Sequence, residues 1–189
     1  MVNFNLNQSK TKDSTSDDNL VDKLNKLASN SSIHKWDLGA SSSKDLSVQV
    51  DRGEAKQMKG SQRSSFTIRV WNKKGLVGIT STSDVSTNGL EKAFSGAYEA
   101  SRFGNPDDIP NFSPLAKAKL PVLKKPILEF IGIKNLLALL RNAESELLNL
   151  HQAIKTVPYN GLAETLFERI YINSDGAYRS MKSSQASIY

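Results

Sequence analysis

The run Phe66-Thr67-Ile68-Arg69-Val70-Trp71, followed by Asn72-Lys73-Lys74-Gly75, constrains this chain more than any other feature. Phe66, Ile68 and Val70 alternate with Thr67, Arg69 and Trp71, and a period of two puts alternate side chains on opposite faces of a strand. The next four residues supply the glycine of a hairpin loop, so Leu76 to Thr80 must return antiparallel. Upstream, Leu46, Val48 and Val50 alternate with Ser47, Gln49 and Asp51. Arg52-Gly53 reads as a turn, and Glu54 to Lys59 as a polar, edge-like strand. The pattern is an antiparallel meander of three or four strands with one apolar face.

Helices flank this meander. Leu20, Leu24 and Leu27 share one face of a short helix capped by Asp17 or Asp18 and ended by Ser29 to Ser32. Leu90, Phe94, Ala97, Tyr98 and Ser101 share a face of a second, amphipathic helix that lies on the sheet. Prolines 106, 110, 114, 121 and 126 make Gly104 to Pro126 non-helical. A long helix is expected from Gly132 to Lys155, with Leu136, Leu137, Leu140, Ala143, Leu147, Leu148, His151 and Ile154 as its apolar stripe. After it, Leu162, Leu166 and Ile170 fit a helix, while Phe167 to Ile172 fits a strand. Asn173-Ser174-Asp175-Gly176 is a hairpin turn that favours a strand on each side, the second within Ala177 to Tyr189. The chain stops at apolar Ile188-Tyr189 inside that strand.

The expected fold is therefore α+β: an antiparallel β-meander with amphipathic helices packed on it, then a long helix and a further β-hairpin. It is expected to be incomplete, missing a C-terminal region. The expected organisation is a disordered tail over 1–17, a meander-plus-helix unit over 18–104, a proline-rich connector over 105–126, and the helix and hairpin over 127–189.

Composition narrows the function. There is no cysteine, which excludes disulfides, thiol catalysis and cysteine-held metals. The first residues lack the apolar core of a signal peptide, and Ile127 to Leu140 is too short and too polar to span a bilayer. A cytoplasmic protein with no membrane partner is expected. The net charge of +6 and pI of about 9.4 invite a nucleic-acid reading. Its basic residues are spread, however: Arg52, Lys56, Lys59, Arg63, Arg69, Lys73 and Lys74 over the meander, and Lys117, Lys119, Lys124 and Lys125 in the connector. They read as solvated surface, and nucleic acid is not the expected partner.

No catalytic, cofactor-binding or metal-ligating residue stands out. The two histidines, His34 and His151, fall in different elements and in no HExxH motif. Asp17-Asp18 fits a helix start and Asp107-Asp108 a turn. There is no phosphate-binding P-loop, and Gly75-Leu76-Val77-Gly78 is better read as a hairpin rim. The hydroxyl cluster Thr80, Ser81, Thr82, Ser83, Ser86 and Thr87 could hold an anion at a helix N-terminus. Without a nearby base, it reads instead as helix capping by Asp84, Ser86 or Asn88, and Asn88 with Glu91 has capping-box spacing.

Three segments in order carry a family resemblance: Asp45 to Gln57, Thr67 to Phe94 with Arg69-Val70, Gly75, Gly78 and Ser81 to Asp84, and the turn Ile172 to Gly176. Together they resemble the N-terminal domain of the TldD/PmbA family, and the resemblance extends over about Leu20 to Tyr189. Ser65-Phe66 departs from it, where many members carry glycine. The resemblance implies a cytoplasmic two-protein system for peptide processing, also known as modulator of DNA gyrase. TldD-type members are zinc metallopeptidases with an HExxxH helix, and PmbA-type (TldE) members are partner subunits without it. This chain has no HExxxH, so zinc is expected only in a full-length TldD-type partner, and whether this chain is an enzyme is left open. The Ser81-Thr82-Ser83-Asp84 wording is closer to PmbA.

The expected role is a non-catalytic N-terminal domain whose sheet edges meet a partner subunit, the missing C-terminal region or an extended peptide. The alternatives are a basic DNA- or gyrase-interacting module and a truncated fragment without independent activity.

Overall fold

The chain runs α1 (Ser14–Ser29), β1 (Ile33–Asp51), β2 (Glu54–Asn72), β3 (Val77–Thr82), α2 (Thr87–Ser101), α3 (Ile133–Leu150), β4 (Leu162–Asn173) and β5 (Tyr178–Ile188). This is a computed structural model, and it describes residues 14–29, 32–106, 108–120 and 130–189, without the side chains of 14–21. The strands form one five-stranded sheet in the order β3-β2-β1-β4-β5, and the fold is α+β.

Two strands of 19 residues each dominate the sheet. Sequence reading gives two strands, Glu54 to Lys59 and Phe66 to Trp71, with Gly60 to Ser65 between them, and names no strand over Ile33 to Lys44. Both stretches are strand. Trp36, Leu38 and Ala40 alternate with Lys35, Asp37 and Gly39, so the period of two was present. The polar stretch is tolerated because it stays in water: Glu54 to Arg63 is exposed throughout. The Arg52-Gly53 turn holds, with both residues at positive φ (51° and 79°), as a two-residue hairpin requires. β3 pairs antiparallel with β2 from Trp71↔Val77 to Phe66↔Thr82 and no further.

The chain folds as two compact units, which are not the consecutive stretches expected from sequence. Of the described residues, those within 1–41, 64–122 and 169–180 form one, and those within 42–63, 123–168 and 181–189 form the other. β1, β2, β4 and β5 each pass from one unit to the other, so a division in chain order is replaced by one across the strands.

In the first unit, Trp36, Leu38, Phe66, Ile68 and Val70 from the sheet meet Leu90, Phe94 and Ala97 of α2 and Leu24 of α1. Trp36 and Phe94 pack edge to face, 6.1 Å between ring centres. The face of α2 read from its periodicity is the one that is buried. β3 comes so close to α2 that a Cβ on Gly78 would sit 2.0 Å from the Ala97 carbonyl oxygen. In the second unit, Val48, Val50 and Leu162 pack under Leu136 and Leu140 of α3.

The structure corrects several boundaries. α1 begins at Ser14, so residues 14–17, expected in the tail, are helical. Ser, Thr and Asp are first-turn residues, and their polarity there does not mean disorder. α3 ends at Leu150 with His151 as its C-cap, so His151 and Ile154 lie beyond the helix and outside its stripe. A short 3-10 turn, Pro114–Ala116, interrupts the connector. The expected boundary at 126/127 falls outside the described residues. The ambiguous segment after α3 is strand from Leu162, and the Asn173 to Gly176 turn joins β4 to β5. Asn173 Oδ1 accepts the Asp175 and Ala177 amides, and Gly176 has φ 84°.

Candidate functional site

The hydroxyl cluster is the first candidate, and Ser81, Thr82 and Ser86 of it are engaged in local hydrogen bonds. Ser81 pairs across the strands with Thr67 at 2.9 Å between hydroxyls. Thr82 Oγ1 accepts the Asp84 amide, Asp84 Oδ1 accepts the Ser86 amide, and Ser86 Oγ accepts the Gly89 amide, each at 3.0 Å. Ser86 is thus the N-cap of α2, and the Asn88–Glu91 capping box does not form; Glu91 instead meets Lys23 at 2.6 Å. Hydrogen bonds from Ser86 hold the Asp84 carboxyl below its ordinary range. A Cβ on Gly89 would lie 2.2 Å from the Asp84 carbonyl oxygen, so the relay leaves no room there.

The histidines do not converge. His34 is exposed on β1 in the first unit, and His151 is exposed in the second, where its Nδ1 accepts the Ala153 amide at 3.1 Å. Asp17 and Asp18 lie in α1, and Asp107 lies outside the described residues. Among the described residues no three His, Asp or Glu side chains are grouped to hold a metal. A zinc centre takes three or four such ligands, a set that the described residues do not bring together.

Two buried carboxylates that sequence reading missed act on the backbone. Glu144 in α3 accepts the amides of Arg52 (3.0 Å) and Gly53 (2.7 Å), closing the β1–β2 turn. Glu164 in β4 accepts those of Ile131 and Gly132, both at 2.8 Å, at the start of α3. Each fills from within a position that would otherwise attract an anion. Sequence holds a weak signal for the first: Glu144 falls at i+4 from Leu140 and i+8 from Leu136, on the buried stripe.

A third carboxylate, Asp45, gathers hydrogen bonds from Ser43, Ser61, Arg63 and Thr165. Partial burial pushes its carboxyl up, but those four bonds outweigh it and hold it below its ordinary value. A fourth, Asp37, is buried and takes two bonds from Arg69 and one from the Tyr171 hydroxyl at 3.3 Å. Burial pushes the Tyr171 phenol up; the Asn173 hydrogen bond opposes this, and the charge on Asp37 adds to it.

What remains accessible is backbone. Because β3 covers only Phe66 to Trp71, the outer edge of β2 from Glu54 to Arg63 has no β3 partner. The polar, edge-like character read from this sequence is therefore correct locally, although β2 is an inner strand where β3 flanks it. The far end of the sheet behaves differently: β3 begins behind a bridge between Leu76 and Pro106.

Residues 36–101 match the family model described as PmbA/TldA metallopeptidase domain 1. None of the curated proteins matches the chain. Among solved structures, TldE from Thermococcus kodakarensis is similar with a TM-score of 0.72 and 16% identity, over 90% of this chain and 37% of that one. A candidate modulator of DNA gyrase from Thermotoga maritima is similar with a TM-score of 0.71 and 16% identity, over 90% and 38%. Another from Bacteroides thetaiotaomicron has a TM-score of 0.70 and 16% identity, over 90% and 39%. At such identity the likeness concerns the fold, and this chain spans less than two-fifths of each of those chains. Among the described residues no helix is long and apolar enough to cross a membrane.

Proposed function

We propose, from the match of residues 36–101 to the first-domain model, a non-catalytic, PmbA-like role in a cytoplasmic peptidase assembly of the TldD/PmbA kind. In this reading the chain binds a TldD-type subunit or an extended peptide, and the zinc chemistry belongs to that partner. The observation that carries the reading is the first-domain match over residues 36–101, and the Ser81-Thr82-Ser83-Asp84 wording favours the PmbA side of the family. The open edge at Glu54 to Arg63 supplies the surface: an added strand gains main-chain hydrogen bonds there without disturbing a packed side chain.

Co-elution with a TldD-type protein on size exclusion, with zinc following the partner, supports the reading. Stoichiometric tight zinc on this chain alone would sink it. Proline locates the edge, because it removes one donor and alternate amides of a strand point to opposite sides. Of Gln57→Pro and Met58→Pro, one is expected to weaken association at least about tenfold, the loss of ~1.4 kcal/mol, while the fold survives. Association unchanged in both moves the contact elsewhere.

The second reading is a DNA- or gyrase-interacting module. Arg52, Lys56, Lys59 and Arg63 lie on or beside the same exposed edge, and two structural neighbours carry the gyrase description. Arg63 is tied to Asp45 at 3.2 Å, which leaves fewer cations for phosphate. DNA binding that falls steeply with added salt would favour this reading over the first.

A further inference from the structure

In the first unit, the face of the sheet opposite α2 is crossed by the segment around Phe112. Its ring packs edge-on against Trp71, with 6.2 Å between centres and planes at 80°. The Lys35 ammonium lies 5.6 Å from the Phe112 ring centre, and the Arg69 guanidinium lies 5.2 Å over Trp71. A cation–aromatic–aromatic–cation stack results.

The segment that delivers Phe112 is lightly built. Residues 108–120 are mostly exposed, and their regular structure is the single turn Pro114–Ala116. A tether from β5 holds it: the Arg179 guanidinium donates to the carbonyls of Leu115 (3.1 Å) and Ala118 (2.7 Å). Beneath it Trp71 is 3% exposed, and its indole N–H has no hydrogen-bond partner among the described residues. A buried donor left without a partner destabilises the closed arrangement, and lifting the segment removes that cost by admitting water.

We propose that Trp71 and Lys35 form a binding slot for an aromatic side chain on an extended peptide, and that Phe112 occupies it in cis as a displaceable stand-in. The occupant itself defines the ligand class: Ile109-Pro110-Asn111-Phe112-Ser113-Pro114 is a proline-flanked segment presenting one aromatic ring. Arg179 sets how readily it leaves. This inference does not depend on the assembly reading, because the slot needs no second subunit.

The test uses the full chain with Phe112→Ala and a synthetic peptide of residues 108–116. The two tryptophans give two indole N–H resonances, and Trp36 lies in the core. The peptide is expected to shift the Trp71 resonance saturably, about tenfold tighter for Phe112→Ala than for the unaltered chain, where a tethered competitor at millimolar effective concentration must be displaced. A peptide with alanine in place of phenylalanine is expected not to bind. Arg179→Ala, which keeps Phe112, is expected to speed hydrogen exchange at the Trp71 indole while the thermal midpoint stays within a few degrees. A folded Phe112→Ala chain whose Trp71 signal ignores the peptide overturns the proposal, as does equal binding by the alanine peptide. Failure of Phe112→Ala to fold also overturns it, since Phe112 would then be a core residue.

Discussion

At the scale of single residues, carboxylates organise this chain by holding its backbone. Glu144 is buried at the β1–β2 turn, where Arg52 adopts a positive φ that a side-chain-bearing residue seldom takes. The Glu144 side chain offsets that strain by accepting both turn amides. Glu144→Ala should therefore lower stability by about 1.5–3 kcal/mol, and Glu144→Gln, which keeps one acceptor, by less. Urea unfolding checks both, and equal midpoints for the alanine variant and the parent would refute the role. Asp45 makes a pH prediction. Its folded carboxyl titrates below the ordinary 3.8, so the stability it contributes is complete above that value and drains away as pH falls through the folded pKa. Asp45→Asn should lower stability at neutral pH and flatten the acid limb of the stability curve below about pH 4. An acid limb identical to the parent's would show that the four hydrogen bonds contribute nothing. Beyond the place of Glu144 on the α3 stripe, neither role was legible in the sequence, because the partners of Asp45 and Glu144 lie up to 120 positions away along the chain.

At the scale of elements, periodicity was the dependable guide and polarity the misleading one. The buried face of α2 follows directly from Leu90, Phe94 and Ala97. The same reasoning cut β2 in two, because polar residues exposed on both faces of a strand leave no alternation to read. It also carried α3 past its end: His151 and Ile154 continue the apolar spacing, but His151 adopts extended backbone geometry and ends the helix. Within the hydroxyl run, which residue caps α2 depended on geometry. Ser86 holds the Gly89 amide at 3.0 Å. Ser86→Ala is expected to cost about 1 kcal/mol, whereas Ser83→Ala, at an exposed position, should stay within about 0.5 kcal/mol. Thermal unfolding separates them, and the reverse order would move the cap.

At the scale of the whole chain, the order of elements was readable and their sharing between two units was not. Local patterns report which face of a strand is buried, but not which of two cores a given stretch serves. β1 contributes Trp36, Leu38 and Ala40 to one core, and Val48 and Val50 to the other, within one continuous strand. This continuity has a thermodynamic consequence. Neither core can lose its strands without fraying the ends of strands that the other core uses, so the two are expected to unfold as one transition. Leu140 lies only in the second core, whereas both tryptophans belong to the first unit. Leu140→Ala should cost about 2–5 kcal/mol by leaving a cavity. If the strands transmit that loss, the tryptophan fluorescence midpoint in urea should fall as far as the midpoint from far-ultraviolet circular dichroism. Leu90→Ala, in the first core, should shift both signals in the same way. A fluorescence midpoint that keeps the parent value in Leu140→Ala, while the circular dichroism splits into two steps, would mean that the units melt independently despite four strands in common.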